Sequence, residues 1–170
     1  EVSKAGADMV ARCYATQYGV QAMVTRCANL YGPADLNWSR MVPNSCRRVA
    51  RGLPPEVHPS AWQYEREWIY VGDAVTAYLV IADLGEAGEA YNIGSGQTAT
   101  AGRVAADIAR YARVAEPVSS ATRINYEIPA QKLDTQKLAR IGALRTTPME
   151  SALASTIDWY MGYLGKNQCA

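Results

Sequence analysis

The first 26 residues pass from a helical to an extended pattern of hydrophobic positions. From Ser3 to Tyr18, apolar side chains recur every three or four residues, which predicts an amphipathic helix whose buried face holds Ala5, Met9, Val10 and Cys13. Gly19 then marks the end of the helix. The apolar run from Ala22 to Thr25, which ends at Arg26, predicts a buried strand. A helix, a glycine and a strand in this order indicate an α/β fold.

Apolar residues at helical spacing continue through the rest of the chain. They predict helices over about 39–51, from 73 onward, over 101–115 and from 148 to near the end. We expect Asp73 to cap its helix, whose buried face would hold Val75, Tyr78, Leu79 and Ala82. The run from Thr147 to Glu150 combines a capping box with a proline at the first helical position, and so predicts the start of the last helix.

Short strands and loops separate these helices. Strands are predicted at 67–71 and 89–93, and the second is followed by a tight turn at Gly94–Gly96. Three prolines between 53 and 65 predict a loop with an edge strand. About six helices and a few short strands make up the predicted α/β domain.

Composition and charge exclude several classes of protein. The chain has 170 residues and a formal net charge of +1, so no overall field attracts nucleic acid or an anionic membrane. No apolar run approaches the roughly 20 residues that span a bilayer. The cysteines, at 13, 27, 46 and 169, are far apart, and His58 is the single histidine, which argues against a metal site and favours free thiols. We expect a cytoplasmic protein.

The start of the sequence is unusual. Glu1 is not a methionine, and it leads directly into a predicted helix. Natural domain boundaries usually fall in polar or flexible linkers. We therefore expect the chain to be part of a longer protein.

Motifs in a fixed order carry a resemblance to a known family. Ser3-Lys4 resembles the end of a Y-x-x-x-K motif, and residues 26–33 resemble R-x-x-N-x-Y-G-P. Residues 66–73 resemble R-D-W-x-x-V-x-D, residues 91–96 resemble Y-N-x-G-x-G, and residues 134–137 resemble a closing D-x-x-K segment. Each motif alone is weak. Together they resemble the extended short-chain dehydrogenases/reductases of the NAD-dependent epimerase/dehydratase family, which act on nucleotide sugars.

Two further segments are similar to one subgroup of that family. Residues 35–43 and 127–131 resemble segments of CDP-glucose 4,6-dehydratase-like enzymes. Pro33-Ala34 departs from this subgroup, which tends to have glycines there, and Lys132 stands where an aromatic residue is common. These departures leave the nucleotide and the sugar open.

The resemblance implies the C-terminal part of a Rossmann-type enzyme. This part comprises the last strands and helices of the parallel sheet and a small α/β substrate-binding domain. In a single truncated domain, residues 1–34 would end the Rossmann part and residues 35–170 would be mainly substrate-binding. The cofactor-binding part would precede Glu1. An apolar helix face and a strand edge would then meet water, so we expect a homodimer or association with the missing half.

The resemblance also implies an oxidation-first reaction with NAD(P), in which hydride leaves the sugar, water is eliminated and hydride returns. Lys4 would lower the pKa of a tyrosine base four residues earlier and bind the nicotinamide ribose. Cys27 and Ala28 would lie near the nicotinamide, although an inert core cysteine is the alternative. The sequence has no G-x-G-x-x-G turn for the pyrophosphate, so we expect no cofactor to bind this chain alone.

The implied substrate is a CDP-, dTDP-, GDP- or UDP-sugar. Arginine binds a diphosphate bidentately, which makes Arg66 and Arg40 candidates, with a surface salt bridge as the alternative for each. Asn29 would donate from the end of a strand, and Gln131 and Arg123 lie where the family can close over the nucleotide. Two other hypotheses remain: a non-catalytic nucleotide-sugar-binding remnant, and a self-associating fragment of unknown role.

Overall fold

The computed structural model describes residues 2–120, 128–142 and 144–167. Within them lie the α-helices α1 (Val2–Tyr18), α2 (Met41–Val49), α3 (Val71–Leu84), α4 (Ala101–Ala112), α5 (Gln136–Ile141) and α6 (Met149–Asn167), and a 3₁₀ helix at Pro59–Trp62. The strands are β1 (Val24–Cys27), β2 (Asn29–Tyr31), β3 (Glu56–Val57), β4 (Glu65–Tyr70), β5 (Ala90–Ile93), β6 (Thr98–Thr100), β7 (Val118–Ser119) and β8 (Ala130–Gln131). The predicted α/β class is confirmed.

The strands form three small sheets. β1 pairs in parallel with β5, from Val24 opposite Ala90 to Cys27 opposite Ile93. The largest sheet is centred on β4, which pairs in parallel with β2 and β8 and antiparallel with β6. β3 pairs in parallel with β7. β4 therefore joins β2, β6 and β8, which are separate in the sequence, into one sheet.

Two hydrophobic clusters hold these layers together. The first lies among α2, α4 and α6 and includes the fully buried residues Cys46, Ile108, Ile157 and Tyr160. The second packs α3 and α5 against β1, β4 and β5, through Ile69, Ala77, Ile81, Tyr91, Ile93 and Leu138. The amphipathic patterns predicted for α4 and α6 are confirmed, since Val104, Ala105, Leu153 and Ile157 are all buried.

The predicted buried face of α1 is exposed in this chain. Met9 and Val10 are 71% and 56% exposed, Cys13 is exposed, and Ala15 is the buried residue of the helix. α1 touches β1 with only part of its surface, and the rest of its apolar face meets water. The expectation that an apolar helix face meets water is thus confirmed. The prediction that Met9, Val10 and Cys13 are buried within the chain is wrong.

Two predictions about α3 are wrong. Val75, Tyr78 and Leu79 are exposed, and Ala74, Ala77 and Ile81 face the core instead. α3 is apolar on nearly all sides, so the spacing of its apolar residues did not define one buried face. The small alanines allow the helix to approach the strands closely.

Asp73 does not cap α3 at its N-terminus. The helix begins at Val71, two residues earlier, with Tyr70 at the N-cap position. The two carboxyl oxygens of Asp73 accept hydrogen bonds from the N–H (2.7 Å) and the hydroxyl (2.8 Å) of Thr147. Asp73 therefore fixes the entry to α6, which is a contact between residues 74 positions apart.

Ala34 adopts a backbone conformation that favours glycine. Its φ of 66° lies in the left-handed region, which costs a non-glycine residue about 1–2 kcal/mol. A glycine at this position would adopt the same conformation without that cost. We predict that Ala34→Gly stabilises the chain by about 1 kcal/mol in urea unfolding. The control is Ala7→Gly in the exposed middle of α1, which should destabilise by about the same amount; loss of stability in both variants would contradict the prediction.

The Asp73 contact gives a second prediction. Asp73→Ala leaves the N–H and hydroxyl of Thr147 without their acceptors, so we expect a loss of about 2 kcal/mol or more in the free energy of unfolding. Asp73→Asn should cost clearly less, because its amide oxygen can still accept from the N–H while the Thr147 hydroxyl rotates to accept from the new NH₂. Asp83→Ala, on the exposed side of the same helix, is the control. Equal losses for the alanine and asparagine variants would contradict this account.

Candidate functional site

A cleft of about 860 Å³ lies at the carboxyl end of β1. Its walls come from α1, from β1 and β2 with Ala28 between them, from the start of α2, and from single residues of β4 and α3. The carboxyl ends of parallel strands are where α/β folds bind ligands. Five of the predicted site residues line this one cleft: Lys4, Cys27, Ala28, Asn29 and Arg40.

Three cations border the cleft. Lys4 projects from the first turn of α1, and its side chain is exposed. The Arg26 guanidinium is held by Asp8, with N···O distances of 2.7 and 2.8 Å. Arg40 donates to the Asp35 carboxylate at 3.1 Å but keeps 60% of its side chain exposed. No Asp or Glu is among the described residues that line the cleft, but Asp8 and Asp35 form ion pairs with two of the three cations beside it.

The strand end between β1 and β2 holds its polar groups rigidly. The N–H of Ala28 donates to the carbonyl of Ile93 at 2.9 Å, which extends the pairing of β1 with β5 by one residue. The Asn29 side-chain amide donates to the carbonyl oxygen of Glu67 at 3.2 Å. Asn29 therefore faces the cleft with its side chain already fixed by β4.

Cys27 and Tyr78 form a polar contact on the cleft wall. The Cys27 Sγ and the Tyr78 hydroxyl are 3.3 Å apart. This hydrogen bond, together with partial burial, raises the pKa of Tyr78 above its ordinary value. A tyrosine that acts as a base near neutral pH needs its pKa lowered. Tyr78 is thus a neutral hydroxyl, and it does not serve as the activated tyrosine that the Y-x-x-x-K resemblance requires.

Arg66 and Gln131 lie together at a second location. They are register partners in β4 and β8, and neither is among the described residues that line the cleft. One Nη of Arg66 donates to the carbonyls of Glu65 (2.8 Å) and Ile128 (2.6 Å), and its guanidinium lies 5.9 Å from the ring centroid of Tyr64. Arg123 lies outside the described residues. The structure thus groups the predicted residues into the cleft and the β4–β8 pair.

Some residues of these sites were missed from the sequence. Tyr78 lines the cleft, although the spacing of apolar residues predicts it on the buried face of α3. Glu67 lies in the segment that resembles R-D-W-x-x-V-x-D, where the sequence predicts no role for it, yet only 1% of the residue is exposed. The available signal was a carboxylate directly before the apolar run Trp68-Ile69-Tyr70 of a predicted strand, because a carboxylate buried with such a run must find hydrogen-bond donors.

The part of the chain that the structure describes contains neither a metal-binding cluster nor a membrane-spanning helix. No group of three or more His, Cys, Asp or Glu side chains is placed to hold a metal ion among the described residues. None of the described helices is both long enough and apolar enough to cross a membrane.

Curated relatives share the sequence over most of this chain. It is 30% identical over 160 residues to a dTDP-glucose 4,6-dehydratase of an Actinoplanes species, covering 93% of this chain and 49% of that protein. It is 31% identical, again over 160 residues, to a trifunctional UDP-glucose 4,6-dehydratase/UDP-4-keto-6-deoxy-D-glucose 3,5-epimerase/UDP-4-keto-L-rhamnose-reductase of Arabidopsis thaliana, covering 93% of this chain and 24% of that protein. The chain thus spans about half the length of the bacterial relative and about a quarter of the plant one.

A solved structure shares the fold. The DesIV dTDP-glucose 4,6-dehydratase of Streptomyces venezuelae, determined with NAD bound, superposes with a TM-score of 0.87 at 27% identity, covering 97% of this chain and 51% of that enzyme. The fold is therefore the Rossmann-like α/β fold of short-chain dehydrogenases/reductases. The NAD dependent epimerase/dehydratase family matches residues 1–94, and these residues include α1, the cleft strand β1 and the strand β4. The chain belongs to the NAD-dependent epimerase/dehydratase family.

Proposed function

We propose that this chain is the C-terminal, substrate-binding part of an NAD-dependent nucleotide-sugar dehydratase or epimerase, and that it binds its ligand without turning it over. One observation supports the proposal: Lys4, Arg26 and Arg40 border one cleft at the carboxyl end of β1, and Arg40 stays 60% exposed although it pairs with Asp35. A nucleotide sugar carries a diphosphate, which such a surface attracts. The dTDP- and UDP-glucose named for the relatives belong to this class of ligand.

The two groups of residues suggest two contacts with one ligand. In this proposal Arg40 and Asn29 bind the diphosphate and sugar in the cleft. Arg66 contacts the diphosphate from its nucleotide side, and Gln131 contacts the nucleotide, both from the pair formed by β4 and β8. Residues 1–34 then complete a Rossmann half, and residues 35–170 form most of the substrate-binding part.

The residues at the end of β1 fit the nicotinamide end of a cofactor. Lys4, Cys27 and Ala28 share the cleft, and a lysine ammonium beside a strand end suits a ribose hydroxyl. When bound, NAD accepts the hydride from the sugar. The pKa of Tyr78 is raised by its hydrogen bond with Cys27, so Tyr78 is not the tyrosine base in this proposal. This is why we expect binding without turnover.

The second candidate function is self-association, and the exposed face of α1 favours it. Met9, Val10, Tyr14 and Tyr18 are each more than half exposed and are spaced along one helix. Contiguous apolar surface of this kind usually marks an interface with another protein. We propose that a second copy or a cofactor-binding half covers it.

Ligand binding is the first test. We predict that this chain binds CDP-, UDP- or dTDP-glucose saturably in calorimetric titration without NAD. Arg40→Ala and Arg66→Ala should each weaken binding by about tenfold or more, because each removes a charged hydrogen bond to phosphate. Arg140→Ala, an exposed arginine on α5, is the matched control and should leave the dissociation constant unchanged. No heat of binding with any nucleotide sugar, in the presence or absence of NAD, would contradict the proposed function for this chain.

Oligomeric state tests the exposed face of α1. We predict a concentration-dependent dimer in sedimentation equilibrium, which the double variant Met9→Glu/Val10→Glu converts to monomer because each new carboxylate would be buried unpaired in the interface. Gln17→Glu adds a charge to an exposed polar position on the same helix and should leave the dimer intact. A wild-type chain that remains monomeric at high concentration would rule out self-association.

A further inference from the structure

The segment 128–133 packs against the second hydrophobic cluster through Leu133, and elsewhere it is held mainly by hydrogen bonds. The residues from Ile128 to Lys132 are all exposed, so little apolar burial fixes them. The N–H of Glu65 donates to the carbonyl of Pro129 at 3.0 Å, and Arg66 donates to the carbonyl of Ile128. Within the segment, Gln131 is the predicted ligand contact, and its position depends on how firmly these bonds hold the strand.

The most deeply buried acceptor for this segment is the carboxyl group of Glu67. One carboxyl oxygen, Oε2, accepts from the N–H of Leu133 at 2.7 Å, just after β8. The other, Oε1, accepts from the N–H of Gly96 at 2.6 Å, in the turn between β5 and β6. The two oxygens therefore accept from two different segments. Among the described residues these segments are joined to β4 by strand pairing and are not paired with each other.

The space around this carboxyl group is closely fitted. A Cβ at Gly94 would lie 2.4 Å from Glu67 Oε1, so only glycine leaves room for the carboxylate under the turn. With 1% of the residue exposed, little water is available to replace a lost hydrogen bond. The carbonyl of the same residue accepts from the Asn29 amide on the cleft wall.

We propose that Glu67 is a positioning residue: it anchors the 128–133 segment to β4 and so holds Gln131 beside Arg66 for the nucleotide, while its carbonyl orients Asn29 in the cleft. The ligand part of this inference rests on the proposed function. The anchoring part does not, since it concerns backbone amides that can be followed without any ligand.

Hydrogen–deuterium exchange of the chain, resolved by mass spectrometry, tests the anchoring. Glu67→Gln keeps the shape but turns one acceptor into an NH₂ that faces a backbone N–H. We expect exchange in peptides covering 128–133 to rise by about tenfold, the effect of losing one buried hydrogen bond. Asp73→Asn, a carboxyl-to-amide change at another buried site, is the control and should leave that segment unchanged. Because the NH₂ can face either backbone N–H, unaltered exchange at both 128–133 and the 94–97 turn in Glu67→Gln would overturn the inference.

A second variant covers the case in which Glu67→Gln does not fold. Glu67→Asp places at this position the residue of the family's R-D-W run, but its side chain is one methylene shorter. It should reach at most one of the two amides, and exchange should rise at 128–133 or at the 94–97 turn. Protection of both segments equal to that of the wild type would count against the anchor.

Calorimetry with CDP-, UDP- and dTDP-glucose separates the two ideas. If the wild type binds and Glu67→Gln binds about tenfold more weakly, both the anchor and its role in ligand positioning are supported. If exchange rises at 128–133 and affinity is unchanged, the positioning role is overturned. If the wild type binds none of these ligands, the proposed function fails, and the exchange experiment still decides the anchor.

Discussion

The hydrogen bonds of the Glu67 carboxyl group are the constraint on which the rest of the structure depends. A buried carboxyl group must be supplied with donors, because burial without them costs several kcal/mol. Here the donors are the N–H groups of Gly96 and Leu133, from two segments distant in sequence. β4 can therefore serve as the centre of the largest sheet, with β2, β6 and β8 all arranged around it.

A second polar network connects α3, the segment after the turn and the start of α6. Asp73 binds Thr147 through both carboxyl oxygens, and the Gln97 side chain bridges the carbonyl of Thr147 to the N–H of Met149 at the start of α6. Gln97 follows the turn that Glu67 holds. The turn, α3 and α6 are thus connected by bonds to fixed backbone groups, which constrain geometry more strongly than apolar packing does.

These anchors explain why the cleft lies where it does. Asn29 is oriented by β4, Ala28 is fixed by β5, and Arg26 is held by Asp8 of α1. The cleft is therefore assembled from α1, β1, β2 and the start of α2, each fixed by contacts with other parts of the chain.

The sequence by itself determined the fold class, the family, most of the helices and five of the residues that line the cleft. Local spacing carries that information, since α4 and α6 each have one apolar face and the R-x-x-N and Y-N-x-G runs lie at strand ends. Only the tertiary structure decided which face of α3 is buried, that Asp73 binds Thr147 rather than capping its helix, and that Arg66 lies apart from Arg40. The physical reason is the same in each case. An all-apolar helix has no preferred face until a sheet covers it, and a carboxyl group or a guanidinium finds its partner among residues far away in the chain.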